Sequence, residues 1–282
     1  MQRIVVSEKS ELYTYLRNNM KDKSKNNIKS LLTRKNILVN NKIVTKYNYK
    51  LQKNDIILID DKKTKDVFLN IIYEDNNIIV IDKPFNLLTI ANNKEKDRTL
   101  YRMVSSYLKK ENSKVFIIHR LDRDTSGIVM FAKSPRIQKL YQNDWNSIAK
   151  VREYTAVVEG ITNENGHIES YLRQTKTKQV YSSDKKDGYF SITEYERLKH
   201  NKIYSLLKIH IFTGRRNQIR CHMSDIGHPI VGDKRYNAKT NPIHRLALHA
   251  NRLEIMNPLT KKMMIFTSTV PKDFDNLIKN NR

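Results

Sequence analysis

Apolar positions recur along this chain with two different periods. Near the front, Leu12, Tyr13, Leu16 and Met20 fall at helical spacings, and Ile28, Leu31 and Leu32 make a second stripe of the same kind. Each stripe predicts a helix with one buried face. The stretch ILVNNKIV, Ile37 to Val44, reads as two short strands around Asn40 and Asn41, because asparagine tolerates left-handed turn geometry. LQKNDIILI, Leu51 to Ile59, supplies a further strand. These elements predict a compact helix pair with a small sheet over residues 1–60.

The next stretch is strongly charged and poor in apolar residues, from Asp60 to Asp66. That composition suits a linker, placed at 61–66, with a second domain over 67–282. In the second domain the apolar runs shorten and alternate, as strands do. They are clearest in NIIVIDKP, KVFIIH, GIVMFAKS, EYTAVVEG, YSLLKIHIF and MMIFTST. Helices are expected over Thr99–Lys109, Arg136–Lys150 and Asn217–Ile226. Strands and helices do not alternate regularly, so a mixed α+β domain fits better than a doubly wound parallel fold. With 7 glycines in the chain, the Gly-rich phosphate loops of nucleotide-binding folds are missing.

Charge narrows the class of partner. The 282 residues include 53 Lys and Arg against 29 Asp and Glu, a formal net charge of +24. Such a field favours a polyanion such as nucleic acid; a lysine-rich, merely solvated surface is the bland alternative. Lys23, Lys25, Lys29, Arg34 and Lys35 gather near the second helical stripe, where they suit phosphates or plain solvation equally. The basic run from Arg173 to Tyr189 is read either as a loop or hairpin along RNA or as an exposed connection. The single cysteine, Cys221, allows no internal disulfide and no C-x-x-C metal site. A reducing, cytoplasmic setting is consistent with that. No signal-peptide core opens the chain and no apolar run reaches bilayer length, so no membrane association is expected.

Other chemistry finds little support. His210, His222, His228, His244 and His249 form no HExxH or matched three-ligand array, so no metal is expected. Ser126 is not in a GxSxG elbow. Cys221 beside Arg220 is read as a small packed side chain, with an activated thiol as the alternative. The densest polar cluster is His119, Arg120, Asp122, Arg123, Asp124, Thr125 and Ser126, enclosed by apolar runs in FIIHRLDRDTSGIVMFAKS. A carboxylate here either caps the turn or sits at a strand end as a reactive group. Asp124 suits the capping role better, because Thr125, Ser126 and Gly127 follow it directly.

Four stretches carry a family resemblance. HRLDRDTSG, His119 to Gly127, matches the HRLDxxTSG signature of the RluA-type pseudouridine synthases. YEDNNIIVIDKPFNLLT resembles their first motif and REYTAVVEG the segment that supplies an active-site tyrosine. TGRRNQIRCHMSDIGHPIVGDKRY resembles the long distal motif containing a second catalytic arginine. The front residues are similar to an S4-type RNA-binding domain. The resemblance implies a catalytic domain with a central mixed, largely antiparallel sheet, preceded by a small S4-like domain. It covers nearly the whole chain. Two departures stand out: Asn217 replaces the commonest His, and Lys35 stands where glycine is common. Asn41 and Asn54 also replace frequent turn glycines.

By resemblance, Asp122 is the catalytic aspartate, Arg220 its cationic partner and Tyr154 the residue against the target base. Arg120 enters the space vacated by a flipped nucleotide. His119 orders the same loop, Lys83 and Pro84 wall the pocket, and Ile219 and Asn217 lie close to the base. Lys25, Lys29, Arg34 and Lys35 are the RNA-binding residues expected of the S4-like unit. The implied reaction turns uridine into pseudouridine within RNA. The N1 glycosidic bond breaks and the uracil rejoins through C5, with no redox change and nothing added or lost, so no cofactor is needed. An ionised aspartate meets the chemical need, and an arginine offsets the cost of burying it. An ion pair between Asp122 and Arg220 is therefore expected. A phenol with a pKa near 10 is a poor base at neutral pH, so Tyr154 is expected to position the base first. The expected partner is structured RNA, with large-subunit ribosomal RNA ahead of transfer RNA, and a monomer is expected. The rivals are a non-catalytic ribosome-assembly factor and a metal-dependent nucleic-acid hydrolase.

Overall fold

The computed structural model describes all residues except 1, 22, 34–35, 41, 60–68, 93–94, 96–97, 110–113, 184 and 280–282. The linker expected at 61–66, the turn at Asn41 and the RNA-binding roles of Arg34 and Lys35 lie outside the described residues. The chain divides into two compact units, Met1–Phe68 and Leu69–Arg282.

The first unit contains β1 (Gln2–Val5), β2 (Ser10–Glu11), α1 (Leu12–Asn19), α2 (Lys25–Thr33), β3 (Ile37–Val39), β4 (Lys42–Ile43), β5 (Lys50–Leu51) and β6 (Ile56–Ile59). A four-stranded sheet runs β1-β6-β3-β4, and β2 pairs with β5. Leu12, Leu16, Ile28 and Leu32 point from the two helices into one core with Ile37, Val39, Ile57 and Ile59. Asn40 and Asn54 hold φ of 49° and 71°, a conformation that asparagine accepts more readily than other residues with a side chain.

The second unit contains β7 (Asn70–Glu74), β8 (Ile78–Lys83), α3 (Leu100–Lys109), β9 (Phe116–Ile117), β10 (Ser126–Ala132), α4 (Pro135–Asn143), α5 (Trp145–Ile148) and β11 (Ala149–Glu159). There follow β12 (Asn165–Gln174), β13 (Val180–Ser183), β14 (Tyr189–His200), β15 (Tyr204–Ile211), α6 (Gln218–Asp225), a 3-10 turn (Lys234–Tyr236), β16 (Leu248–Met256), β17 (Met263–Thr267) and α7 (Lys272–Lys279). The main path of the sheet is β13-β12-β14-β15-β11-β16-β10-β8-β7, with β17 on β16 and β9 on β10. Among the described strands, β10 and β16 are parallel, and the other neighbours are antiparallel. The fold is α+β around a large, mostly antiparallel mixed sheet.

Both faces of the central strands are covered, which explains their unbroken apolar runs. Ile79, Ile81, Val129 and Phe131 pack with α3 through Leu100, Val104 and Leu108. The alternate residues Ile78, Val80, Ile128 and Met130 pack with α4 through Ile137 and Tyr141. Farther along, Ala156, Val158, Leu207 and Ile209 meet Ile219 and Met223 of α6 and Phe274 of α7. Two local expectations need correction. The single helix over Arg136–Lys150 is broken at Asp144 into α4 and α5, and β11 already begins at Ala149. KVFIIH contributes a strand over Phe116–Ile117 only, because the chain then turns into the polar loop.

Candidate functional site

The loop between β9 and β10 carries Asp122, and the backbone on either side is held. Thr89 Oγ1 donates to Leu121 O at 2.7 Å and accepts from Leu121 N at 3.2 Å. On the other side, Arg123 O accepts from Leu87 N and from Lys83 Nζ, each at 3.1 Å. Lys83 is 1% exposed, and its ammonium also donates to Pro84 O at 3.0 Å and Leu87 O at 2.9 Å. Burial pushes its pKa down to about 7, while Asp124, Asp122 and Asp82 pull upward and Arg245 adds to the fall. Three carbonyl acceptors match the three N–H donors of an ammonium, so this geometry holds the charged form.

The loop ends at Ser126 and Gly127, which enter β10 beside His249 and Ala250 of β16. Gly127 has φ of +111°, and a Cβ there would lie 2.2 Å from Ala250 O. A side chain at this position would separate the two strands. Ser126 accepts from Arg245 Nη2 at 2.6 Å and lies 2.8 Å from His249 Nδ1. The backbone carbonyl of Arg245 in turn lies against Gly232 (φ +84°), where a Cβ would approach it to 2.2 Å.

Arg220 projects from α6. The helix begins after Asn217, whose φ is 50°; asparagine and histidine are both enriched in this conformation. Gln218 fixes the first turn by accepting from Thr213 Oγ1 and Arg215 N and donating to Ile192 O. Arg220 is 8% exposed. Its Nε and Nη2 donate to Asp233 Oδ2 and Oδ1 at 2.6 and 2.7 Å. Its Nη1 donates to Asn217 Oδ1 at 3.3 Å and lies 3.9 Å from Asp122 Oδ2. Burial works against the guanidinium charge, but the hydrogen bonds and charge of Asp233, helped by Asp122, hold its pKa above the ordinary value. The ring of Tyr236 lies beneath it at 5.1 Å, and Tyr236 Oη accepts from Asn217 Nδ2 at 3.2 Å.

Tyr154, on β11, packs against both the α3 core and the α6 core. Burial pushes its phenol up to about 12; Arg152 pulls it down and the charge of Asp122 pushes it up. The phenol is therefore neutral at physiological pH. Asp122, Arg220 and Tyr154 thus share one electrostatic neighbourhood, although they come from a loop, a helix and a strand. Asp233 was not singled out in the sequence; its only signal is its place in the VGDKRY end of the distal segment. Arg245 carried no such signal.

The remaining residues separate by environment. Arg120 is exposed and, among the described residues, has no ion-pair partner, whereas Arg123 pairs with Glu95 at 2.7 Å. His119 stacks on Trp145 at 4.8 Å, and its Nε2 accepts from Met130 N at 3.1 Å. Burial, with a contribution from Arg152, lowers its pKa to about 4. Ile219 is part of the core between the sheet and α6, with Tyr154 packed against the same cluster. Lys83 is a clamp under the loop rather than an open wall. In the first unit, Lys25 is exposed, and Lys29 Nζ lies 5.9 Å from the ring centroid of Tyr13. Among the described residues, no group of three or more His, Cys, Asp or Glu could hold a metal ion. The surface hollow lined by Ile161, Lys199, His200 and Asp275 shares no residue with the Asp122 cluster.

Comparisons with known proteins identify the family. The family model described as RNA pseudouridylate synthase matches residues 77–225, which hold Asp122, Tyr154 and Arg220. The chain is 32% identical to ribosomal large subunit pseudouridine synthase D of Buchnera aphidicola, across 96% of this chain and 92% of that protein. It is 29% identical to the uncharacterized RNA pseudouridine synthase YhcT of Bacillus subtilis, across 98% and 96%. The human RNA pseudouridylate synthase domain containing 4 shares the fold, with a TM-score of 0.62 and 18% identity, across 76% of this chain and 93% of that one. With the family model spanning more than half the chain and the relatives nearly all of it, this protein belongs to the RNA pseudouridylate synthase family and is an RNA-modifying isomerase.

Proposed function

We propose that the protein converts specific uridines of large-subunit ribosomal RNA to pseudouridine, with Asp122 as the catalytic carboxylate. The observation that carries this reading is the approach of Arg220 Nη1 to Asp122 Oδ2, 3.9 Å apart, while Asp233 holds the opposite edge of the guanidinium. A guanidinium fixed on one side presents its remaining charge in a set direction. It orients the Asp122 carboxylate and offsets the cost of removing it from water. Asp122 remains partly open, its side chain 24% exposed, so a nucleotide has access to it.

The role assignments carry over from the family resemblance, and the geometry supports them. Asp122 acts on the extruded nucleotide, the N1 glycosidic bond breaks, and the detached uracil is held until C5 bonds to the ribose, with the C5 proton lost and N1 protonated so that the change is an isomerisation. Tyr154, a neutral phenol, packs against the base rather than serving as a base catalyst. A stacked uridine must leave its helix before this chemistry. Arg120, exposed on the same loop as Asp122, is read from the resemblance as the side chain that fills the gap. The front unit, with Lys25 and Lys29 on α2, is read as an S4-like anchor for structured RNA. The ribosomal target follows relatives whose names specify large-subunit synthases.

The test is to map pseudouridine in ribosomal and transfer RNA of the native host, with wild-type protein and with Asp122→Ala at matched abundance. The expected result is one or more 23S positions that lose pseudouridine only in the variant. Loss confined to transfer RNA would overturn the ribosomal assignment, and no loss in either class would overturn the role of Asp122.

A further inference from the structure

We propose that the surface beside Arg220 is a track for single-stranded RNA, leading from the Asp122 cluster onto the β12–β13 hairpin, with Tyr189 as a base-stacking platform. This inference rests on the RNA-isomerase reading above and adds how the strand flanking the target nucleotide is held.

Three segments of the second unit meet at this surface: the loop Thr213–Arg216 ahead of α6, the 3-10 turn Lys234–Tyr236 and the turn joining β12 to β13. Arg235 Nη2 donates to Thr177 O at 3.3 Å, and Gln179 Nε2 donates to Arg235 O at 3.4 Å. Val180 N donates to Tyr236 Oη at 3.3 Å. The same phenol oxygen accepts from Asn217 Nδ2, and the ring lies under Arg220. The hairpin is therefore moored to the Arg220 side of the site through Arg235, Tyr236 and the Asp225 end of α6.

The charges on these segments have one sign. Arg215, Arg216, Lys234, Arg235, Lys176 and Lys178 are all exposed. The nearest acid of the turn, Asp233, is 2% exposed and already occupied by Arg220. A cluster of uncompensated cations next to an RNA-modifying site complements a phosphate backbone.

Tyr189 supplies the second feature. It opens β14 opposite Leu172, and directly opposed residues share a sheet face. Leu172 belongs to a buried cluster with Val180, Cys221 and Tyr236, so Tyr189 lies on the face that carries α6. The residue nevertheless stays 67% exposed, with the Arg215 guanidinium 5.0 Å from the ring centroid. An aromatic ring left in water contributes little to the core. With Arg215 against the ring and the basic segments on the same surface, it has the composition of single-strand sites, where bases stack on aromatic rings and basic side chains follow the backbone.

The test uses the full chain and a fluorescein-labelled single-stranded RNA of about 12 nucleotides, within the roughly 4–16 nucleotide footprint of single-strand grooves. Anisotropy titrations over a salt series give both Kd and its salt slope. Tyr189→Ala should weaken binding about 5- to 150-fold with the slope unchanged, and Tyr189→Phe should restore it. The double variant Lys176→Ala with Lys178→Ala should flatten the slope of log K against log salt by about 1.4, at ~0.7 per lost phosphate contact. Tyr189→Ala binding that matches the wild type would overturn the track, as would an unchanged salt slope in the double variant or failure of the wild type to bind the oligonucleotide. Pseudouridine formation in host RNA is scored separately: its absence with wild-type protein defeats the isomerase role of Asp122, whereas Tyr189-independent anisotropy defeats the track.

Discussion

Arg220 and Asp233 form a two-bond pair, Nε to Oδ2 at 2.6 Å and Nη2 to Oδ1 at 2.7 Å, and this pair turns the remaining nitrogen of the guanidinium toward Asp122. Asp233 thus positions the charge that Asp122 meets. Replacing it with asparagine removes one acceptor and leaves a buried guanidinium short of a counter-charge. We expect Asp233→Asn to lower kcat about 100-fold, as small misplacements of reacting groups do, with KM little changed. Arg220→Lys should not rescue function, because an ammonium cannot bond two oxygens in a fork and still face a third group. A rise in KM with unchanged kcat would show that Asp233 serves RNA binding instead.

Lys83 holds the loop from below. Lys83→Met keeps the aliphatic bulk and removes three donated hydrogen bonds, leaving the buried carbonyl of Leu87 and the partly buried carbonyls of Pro84 and Arg123 with lost partners. Each buried group left unsatisfied costs about 1–3 kcal/mol, and Arg123 O keeps one other donor, so a loss on the order of 3 kcal/mol is expected. For a unit of this size that lowers Tm by about 6–12 °C. Calorimetry that finds an unchanged Tm would refute the clamp.

Two buried histidines, His222 and His249, and the half-buried His119 set an acid limit. Burial lowers the pKa of His119, His222 and His249 to about 4, against an unfolded value of about 6.5. Between those values the unfolded chain binds more protons than the folded one. Stability is therefore constant with respect to these groups above about pH 6.5 and falls as pH drops from about 6.5 toward 4. The slope contributed is at most about 1.4 kcal/mol per pH unit for each histidine. Denaturant titrations at pH 7, 6 and 5 should show this fall, reduced by roughly one third in His222→Asn. Equal acid slopes in the two proteins would exclude His222 as a contributor.

The thiol of Cys221 is protected rather than activated, despite its neighbour Arg220. Cys221 is 1% exposed, and burial together with Asp225 pushes its pKa up to about 12. Native protein at pH 7.5 (well below that value) should resist iodoacetamide until unfolded in guanidinium, as followed by mass spectrometry. Rapid labelling of the native chain would contradict this environment.

Much of the fold was legible from local physics. The stripes at Leu12, Leu16, Ile28 and Leu32 became α1 and α2, and GIVMFAKS became the fully buried β10. Asn54 occupies the left-handed turn for which an asparagine is suited. The strands β12 and β14 were harder to see, because one of their faces carries polar residues such as His167, Glu169 and Glu194, which mask the alternation. The motif around HRLDRDTSG located the candidate site, and the resemblance supplied roles for Asp122, Tyr154 and Arg220 that spacing did not.

By itself, then, the sequence determined the α+β class, the helix faces of the front unit, the central strands and the polar loop that carries Asp122. Those features depend on neighbours a few residues apart, through helical period, strand alternation and turn conformation. Only the tertiary structure decided that Arg220 is held by Asp233, that Lys83 lies buried under the loop, that Gly127 packs on Ala250 and that Tyr236 links the β12–β13 hairpin to Asn217. Each of those joins residues distant in the chain. Their meeting is set by strand register and by helices closing over a shared core, and local periodicity carries no information about either.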